Sequence, residues 1–223
     1  IFKRNKRILL FLFEEKIICM DKAIIQKFMK QKYLTAKYPQ YFSPEIKVFI
    51  NESSYNNYQK EYFINNLYTG KDEIPNFFNK LPENFDELRK IGENDDHICE
   101  LIRNDSLDDF IICITKNENL KQTIIAPSIY ETNPFLTFTN PTLMEYVTFF
   151  GAIKIFNYLL LSSQKLEPSI WPYAIHSNNA EIIHILEENK IEPEITDNSE
   201  QNIYAKCLEE SIICYHNNIG DYL

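Results

Sequence analysis

Glycine is the scarcest structural resource in this chain. Four occur among 223 residues, at Gly70, Gly92, Gly151 and Gly220, and no two lie within 20 residues of each other. A loop that cradles a phosphate needs clustered glycines, so that several backbone N–H groups can close on the anion. Neither a Walker loop nor a dinucleotide-binding fingerprint can be built from these positions. Tight two-residue β-hairpins, which want glycine at positive φ, are disfavoured for the same reason. The expected fold class is all-α, with helices joined by polar loops.

Apolar residues make up 44% of the chain, enough for a sizeable core. They are unevenly chosen, with 32 Ile against 2 Val and 7 Ala, beside 23 Asn. These favoured residues share AT-rich codons, so the bias reports a genome and not a task. The run Ile8 to Phe13 is six residues long and is followed at once by Glu14 and Glu15. A membrane span needs about 20. Lys3, Arg4, Lys6 and Arg7 ahead of that run imitate a signal peptide, but no small-residue cleavage site follows. The chain does not begin with Met and reads as internal to a longer protein. The five Cys include no CxxC pair and read as reduced thiols of an intracellular, cytoplasmic protein.

Charge divides the chain. Residues 1–80 hold 14 basic and 8 acidic side chains, and residues 81–223 hold 9 basic and 24 acidic. The shift suggests two modules meeting near 80–95, at Leu81-Pro82-Glu83-Asn84. The expected organisation is a basic helical N-terminal region over 1–90 and an acidic repeat region over 91–223 that continues beyond this segment. The acidic part would repel phosphate, which argues against nucleic acid as a partner.

Helix starts are readable throughout. Asp21 precedes a stripe at Ile24, Ile25, Phe28 and Met29, and Ser43-Pro44-Glu45 has the order of an N-cap, a first-turn Pro and an acid. Ser54 predicts a helix to Leu67 with Gly70 as its stop. Asn84 opens a helix over 85–91 that Gly92 closes, Asn94 opens one to Arg103, and Ser106 opens one to Thr115. Thr142 with Glu145 predicts a capping box before Leu143 to Phe150. A second helix is expected over Ala152 to Leu161. Ser169 opens one with Pro172 in its first turn, Asn179 opens Ala180 to Glu188, and last helices run from Ala205 to His216 and from near Ile219.

An internal repeat links these elements. With Gly151 placed over Asn178, Thr142 falls on Ser169, Tyr146 on Tyr173, Val147 on Ala174, Ile155 on Ile182, Phe156 on Ile183 and Leu159 on Leu186. A third copy puts Asn218 at the turn, and a weaker first copy puts Ser106 there. Short helices of this kind bury their apolar faces only by stacking on neighbours.

Thr142, Met144, Tyr146, Gly151, Ile155, Phe156, Leu159 and Leu160 fit the frame of an ankyrin repeat, and Ser169, Ala174, Ile182, Ile183 and Leu186 fit it again. Glu145 and Pro172 stand at the family's His position, Leu143 and Ile170 at its Pro position, and the turn spacings of 45, 27 and 40 depart from 33. The runs Leu143-Met144-Glu145-Tyr146 and Ser169-Ile170-Trp171-Pro172-Tyr173-Ala174-Ile175-His176 resemble, more closely, a divergent ankyrin-type family. That family is a domain of unknown function expanded in parabasalid flagellate protists. The stretches Leu81 to Asp95 and Tyr130 to Phe135 resemble it too. The resemblance implies a helical N-terminal segment followed by an ankyrin-like helix-turn-helix solenoid. It implies no activity and supplies no site residues.

Catalytic signatures are missing from the sequence. His176 and His184 are eight apart, not the i, i+4 pair of a metalloprotease helix, and neither HExxH nor GxSxG occurs. An enzyme would need a buried Cys–His pair with shifted acidities, which no local spacing can reveal. Cys207 and Cys214 lie two helical turns apart with His216 nearby, a spacing open to a metal site but equally predicted by a core stripe. No metal and no cofactor is expected. Trp171, the sole Trp, reads either as packing between repeats or as a contact residue. The candidate protein-binding residues are Trp171, Tyr173, His176, Asn178 and Asn179, although polar turn chemistry also accounts for His176 to Asn179.

The expected function is a protein–protein interaction scaffold of the ankyrin type without catalysis. The alternative is a structural component of a cytoskeletal or axonemal assembly, with the basic half docked on an acidic filament such as tubulin.

Overall fold

The computed structural model describes residues 5–52, 81–116, 124–162, 164–194 and 202–222. The helix expected from Ser54 to Leu67 and its stop at Gly70 lie outside these. The described residues are helical, with α1 (Lys6–Glu14), α2 (Lys22–Phe28), α3 (Gln31–Thr35), α4 (Tyr38–Tyr41), α5 (Ser43–Glu52), α6 (Phe85–Ile91), α7 (His97–Arg103), α8 (Leu107–Lys116), α9 (Pro134–Thr139), α10 (Leu143–Phe149), α11 (Ile153–Leu161), α12 (Trp171–Ser177), α13 (Ala180–Glu188), α14 (Ile203–Ile213) and α15 (Asn217–Tyr222). A short 3₁₀ turn, Pro168–Ile170, precedes α12. Among the described residues no strand forms, and one isolated antiparallel bridge joins Ile124 to Thr142. The fold class is all-α.

Side-chain caps open seven of the described helices. Asp21 accepts from the backbone N–H of Ile24 at 2.7 Å, and Asn179 accepts from those of Glu181 and Ile182. Thr142 and Glu145 form a full capping box. Four starts differ from the sequence reading. Ser43 is the first residue of α5, and its buried hydroxyl has no hydrogen-bond partner among the described residues, so it does not act as an N-cap. Helix α7 begins at His97 under Asp96, which accepts from Ile98 N–H at 3.1 Å, while Asn94 donates instead to the Ala126 carbonyl. Ser169 lies inside the 3₁₀ turn and donates to Glu145, so it does not cap α12. Helix α14 starts at Ile203 under Asn202, ahead of Ala205.

The chain divides into two compact units. The first joins Ile1–Asp95 with Ala126–Asn140, and the second joins Asp96–Ile125 with Pro141–Leu223. In the described part of the first unit, Leu9, Leu10, Ile25, Phe28, Tyr33, Tyr38, Tyr41, Phe42, Ile46 and Ile50 form one core. Phe28 stacks on Phe42 with centroids 5.0 Å apart, and Tyr33 meets Phe138 edge-on. The segment 126–140 is held to the end of α6 at Gly92, whose carbonyl accepts from both Thr132 N–H and Thr132 Oγ1. Gly92 has φ +76°, and a Cβ there would lie 2.8 Å from Thr132 Oγ1. The position therefore requires glycine for both conformation and space.

Arg89 and Lys6 are buried against these aromatic rings. Arg89 pairs with Glu45 and spreads its guanidinium over Tyr41, Phe42 and Phe85. Lys6 is fully buried, donates to the Ile129 carbonyl at 2.9 Å, and lies over Tyr38 and Tyr41. Burial pushes its ammonium down to about 7, with Glu131 acting in the opposite sense.

The second unit is a succession of helix pairs: α7 with α8, α10 with α11, α12 with α13, and α14 with α15. The first helices pack in chain order, α7 on α10, α10 on α12 and α12 on α14, while α8 meets α11. Every pair turns through one residue of left-handed backbone: Asp105 at φ 48°, Gly151 at 64°, Asn178 at 50° and Tyr215 at 59°. The 27-residue alignment of Gly151 with Asn178 matches these turns. The outer copies shift, with Asp105 and not Ser106, and Tyr215 and not Asn218, at the left-handed position. The core runs along the pairs, through Phe110, Ile114, Val147, Ile155, Phe156, Leu159, Ala174, Ile182, Leu186 and Cys207. Truncating Phe110 or Phe156, both without exposure, would cost about 3–5 kcal/mol.

Candidate interaction surface

The turns of the second unit are tied to one another. Helix α11 begins after Ala152, which has no side chain able to cap it. The carboxylate of Asp105, in the preceding turn, accepts the backbone N–H groups of Lys154 and Ile155, each at 3.1 Å. Negative charge at this helix start also suits the positive end of its dipole. One pair further on, Asn179 caps α13 with Oδ1 and donates through Nδ2 to the Gly151 carbonyl at 3.1 Å. The first helices are linked as well, by Arg103 to Tyr146 Oη at 3.2 Å and by Ser169 Oγ to Glu145 at 2.8 Å.

The five candidate residues occupy different environments in this framework. Trp171 is buried, and its indole N–H donates to the Ile191 carbonyl at 2.8 Å, closing the loop that follows α13. Tyr173 is buried too. Asn178 is exposed at the left-handed turn position, and half-buried Asn179 spends both ends of its amide on the framework. His176 is half-buried, with its ring 4.3 Å from that of Phe149.

The structure brings His176 against groups from the fourth helix pair. Its Nε2 lies 3.7 Å from Glu210 Oε2, and ligand-type atoms of His176, Glu210 and Cys214 fall within 4.8 Å of one another. Burial pushes the His176 imidazolium down to about 4, helped by the neighbouring His216. Burial likewise raises the Glu210 carboxyl to about 7, with Glu209 adding to it, and the Cys214 thiol to about 11, with Glu210 adding to it. Neutral imidazole beside protonated thiol is the reverse of an activated Cys–His nucleophile, which needs thiolate and imidazolium. Cys207 lies on the same helix face, buried, with its thiol raised to about 12.

Sequence spacing put Cys207, Cys214 and His216 in one group. It missed His176 and Glu210, although Glu210 and Cys214 are an i, i+4 pair on α14 and its C-cap, a readable signal. His176 joins them only through packing of α12 on α14.

Outside the buried seams the second unit is polar and acidic. It holds 18 acidic against 7 basic side chains. Asp108, Asp109, Glu181, Glu187 and Glu188 are exposed on the second helices α8 and α13. No described helix is long and apolar enough to cross a membrane. No family model, curated protein or solved structure matches the chain.

Proposed function

We propose that this chain is a protein-interaction scaffold of divergent ankyrin type, whose second unit is a helix-pair solenoid offering its acidic surface to a basic or amphipathic partner. The observation that carries the reading is the chain-order packing of α7, α10, α12 and α14, with the turns fastened by Asp105 and Asn179. Such stacking holds many exposed side chains at fixed spacing on a rigid support, the arrangement repeat proteins use for recognition. Of the candidate residues, His176 and Asn178 have side-chain surface left for a partner, while Trp171 and Tyr173 serve as packing between pairs. Catalysis is no part of this reading.

The acidic excess favours steering of a cationic partner, which raises association rate more than it lowers dissociation rate. The test is capture of partners by the full chain, with a quadruple swap of Asp108, Asp109, Glu181 and Glu188 to Lys as comparison. The account expects a basic partner whose association slows with added salt, and slows again, with a shallower salt dependence, in the swapped chain. Equal association by both chains at every salt concentration overturns it.

The second reading is a structural part of a filament assembly, favoured by the 14 basic side chains in residues 1–80. Co-sedimentation with microtubules at moderate salt decides it. Pelleting that is lost when Lys22, Lys27, Lys32 and Lys47 are replaced by Glu supports it, and failure to pellet removes it.

A further inference from the structure

We propose that His176, Glu210 and Cys214 form a binding site for a divalent cation of the zinc class, which would clamp the third helix pair to the fourth. Three observations converge on this site. The ligand-type atoms of the three side chains lie within 4.8 Å of one another, and the imidazole Nε2 and carboxylate Oε2 are already 3.7 Å apart. Ligands on a tetrahedral zinc ion stand about 3.3–3.6 Å from each other, given metal–ligand bonds of about 2.0–2.3 Å. Closing the set therefore asks the ligand atoms to approach by about an ångström.

The donor set is the second observation. One imidazole nitrogen, one carboxylate oxygen and one sulfur suit a borderline cation, whereas calcium or magnesium would want oxygen alone. Three protein ligands leave a fourth position for water, with half-buried His216 beside the cluster.

The site's foundation is the third. Glu210 and Cys214 project from one face of α14 and its C-cap, so their spacing is fixed by the helix. His176 comes from the last turn of α12, packed directly on α14 and resting on Phe149. All three residues are partly buried, so a bound ion would be shielded while keeping a path to solvent. The thiolate is the ligating form of cysteine, so binding would release the Cys214 proton to solvent.

The experiment is titration of the full, reduced chain with Zn²⁺ against a chromophoric chelator, repeated with Co²⁺ and followed by absorption. The expected result is one equivalent bound, a raised unfolding midpoint, and a Co²⁺ spectrum with a thiolate charge-transfer band and tetrahedral d–d bands. Glu210→Gln and Cys214→Ser should each weaken binding at least about 10-fold. C214S should also abolish the charge-transfer band, while Cys19→Ser, at the exposed cysteine, leaves everything unchanged. Circular dichroism of each variant confirms that the helices persist, and E210Q, nearly isosteric, keeps the test open if C214S unfolds. Absence of stoichiometric binding, or binding with the same affinity and spectrum in E210Q and C214S, overturns the proposal.

Discussion

Asp105 and Ile155 stand 50 residues apart in sequence, yet the carboxylate of one caps the helix that contains the other. The N-cap position of α11 is Ala152, which offers its first turn no side-chain acceptor. The acceptor comes from the turn of the preceding pair. A local deficiency in one pair is thereby converted into a bond between pairs, and the left-handed backbone at Asp105 aims the carboxylate across.

Asn179 should show the same duality in its energetics. Asn179→Ala loses the α13 cap and the bond to the Gly151 carbonyl, and is expected to cost about 2 kcal/mol. Asn179→Asp keeps the cap acceptor but sets a carboxylate oxygen against the Gly151 carbonyl in place of the donor, so a loss of about 1 kcal/mol or more is expected. Urea denaturation of both variants checks this, and an N179D chain as stable as the parent would deny the inter-pair bond any part.

Two turn residues share a left-handed backbone but not a residue type. Gly151→Ala is expected to cost about 1–2 kcal/mol, because φ is +64° and the added Cβ would come to 3.3 Å from Asn179 Nδ2. Asn178→Gly relieves strain at φ 50° and should stay within about 0.5 kcal/mol of the parent. Thermal unfolding of the two variants measures the contrast.

Lys6 makes the stability of the first unit depend on pH. Its folded acidity near 7 lies below the ordinary lysine value of 10.5, so between these values the unfolded chain binds the extra proton. Stability therefore rises as pH climbs from about 7 toward 9, by at most about 1.4 kcal/mol per pH unit, and is lower where Lys6 must be buried charged. Lys6→Met should flatten this dependence and raise the unfolding midpoint at pH 7, since it removes a buried charge. Denaturant unfolding at several pH values reads the slope, and an unchanged slope in K6M would assign it elsewhere.

Trp171 gives an optical check on its placement. As the sole Trp, buried and bonded to Ile191, it should emit at short wavelength and resist acrylamide quenching. Trp171→Phe should cost about 1–2 kcal/mol through the orphaned Ile191 carbonyl and lost volume, without changing partner association. Fluorescence and the capture assay measure the two effects separately.

Much of this architecture is legible in the sequence, because it rests on local chemistry. Asp21, Thr142 with Glu145, and Asn179 announce their helices by capping, and Gly92 marks a stop that its left-handed backbone bears out. The repeat offset was readable where the left-handed positions hold Gly151 and Asn178, residues suited to them. It slipped at the outer pairs, where Asp105 and Tyr215 hold the turn and Tyr215 carries no glycine-like signal. Long-range features left no local trace. The return of 126–140 to Gly92, the buried Lys6 and the meeting of His176 with Glu210 all depend on packing between segments distant in sequence. Asn94 and Ser169 misled for the same reason, since each spends its side chain on a distant partner in place of a cap.

The central claim is that consecutive helix pairs of the second unit are fastened at their turns into one recognition surface. Amide hydrogen exchange at Lys154 and Ile155, in the parent chain and in Asp105→Gly, tests it most directly. Glycine accepts the left-handed backbone at position 105 and removes only the carboxylate, so the turn itself is preserved. The account predicts that both amides are protected in the parent and exchange at least about 10-fold faster in D105G, matching a hydrogen bond of about 1.4 kcal/mol or more. Equal exchange in the two chains would contradict it.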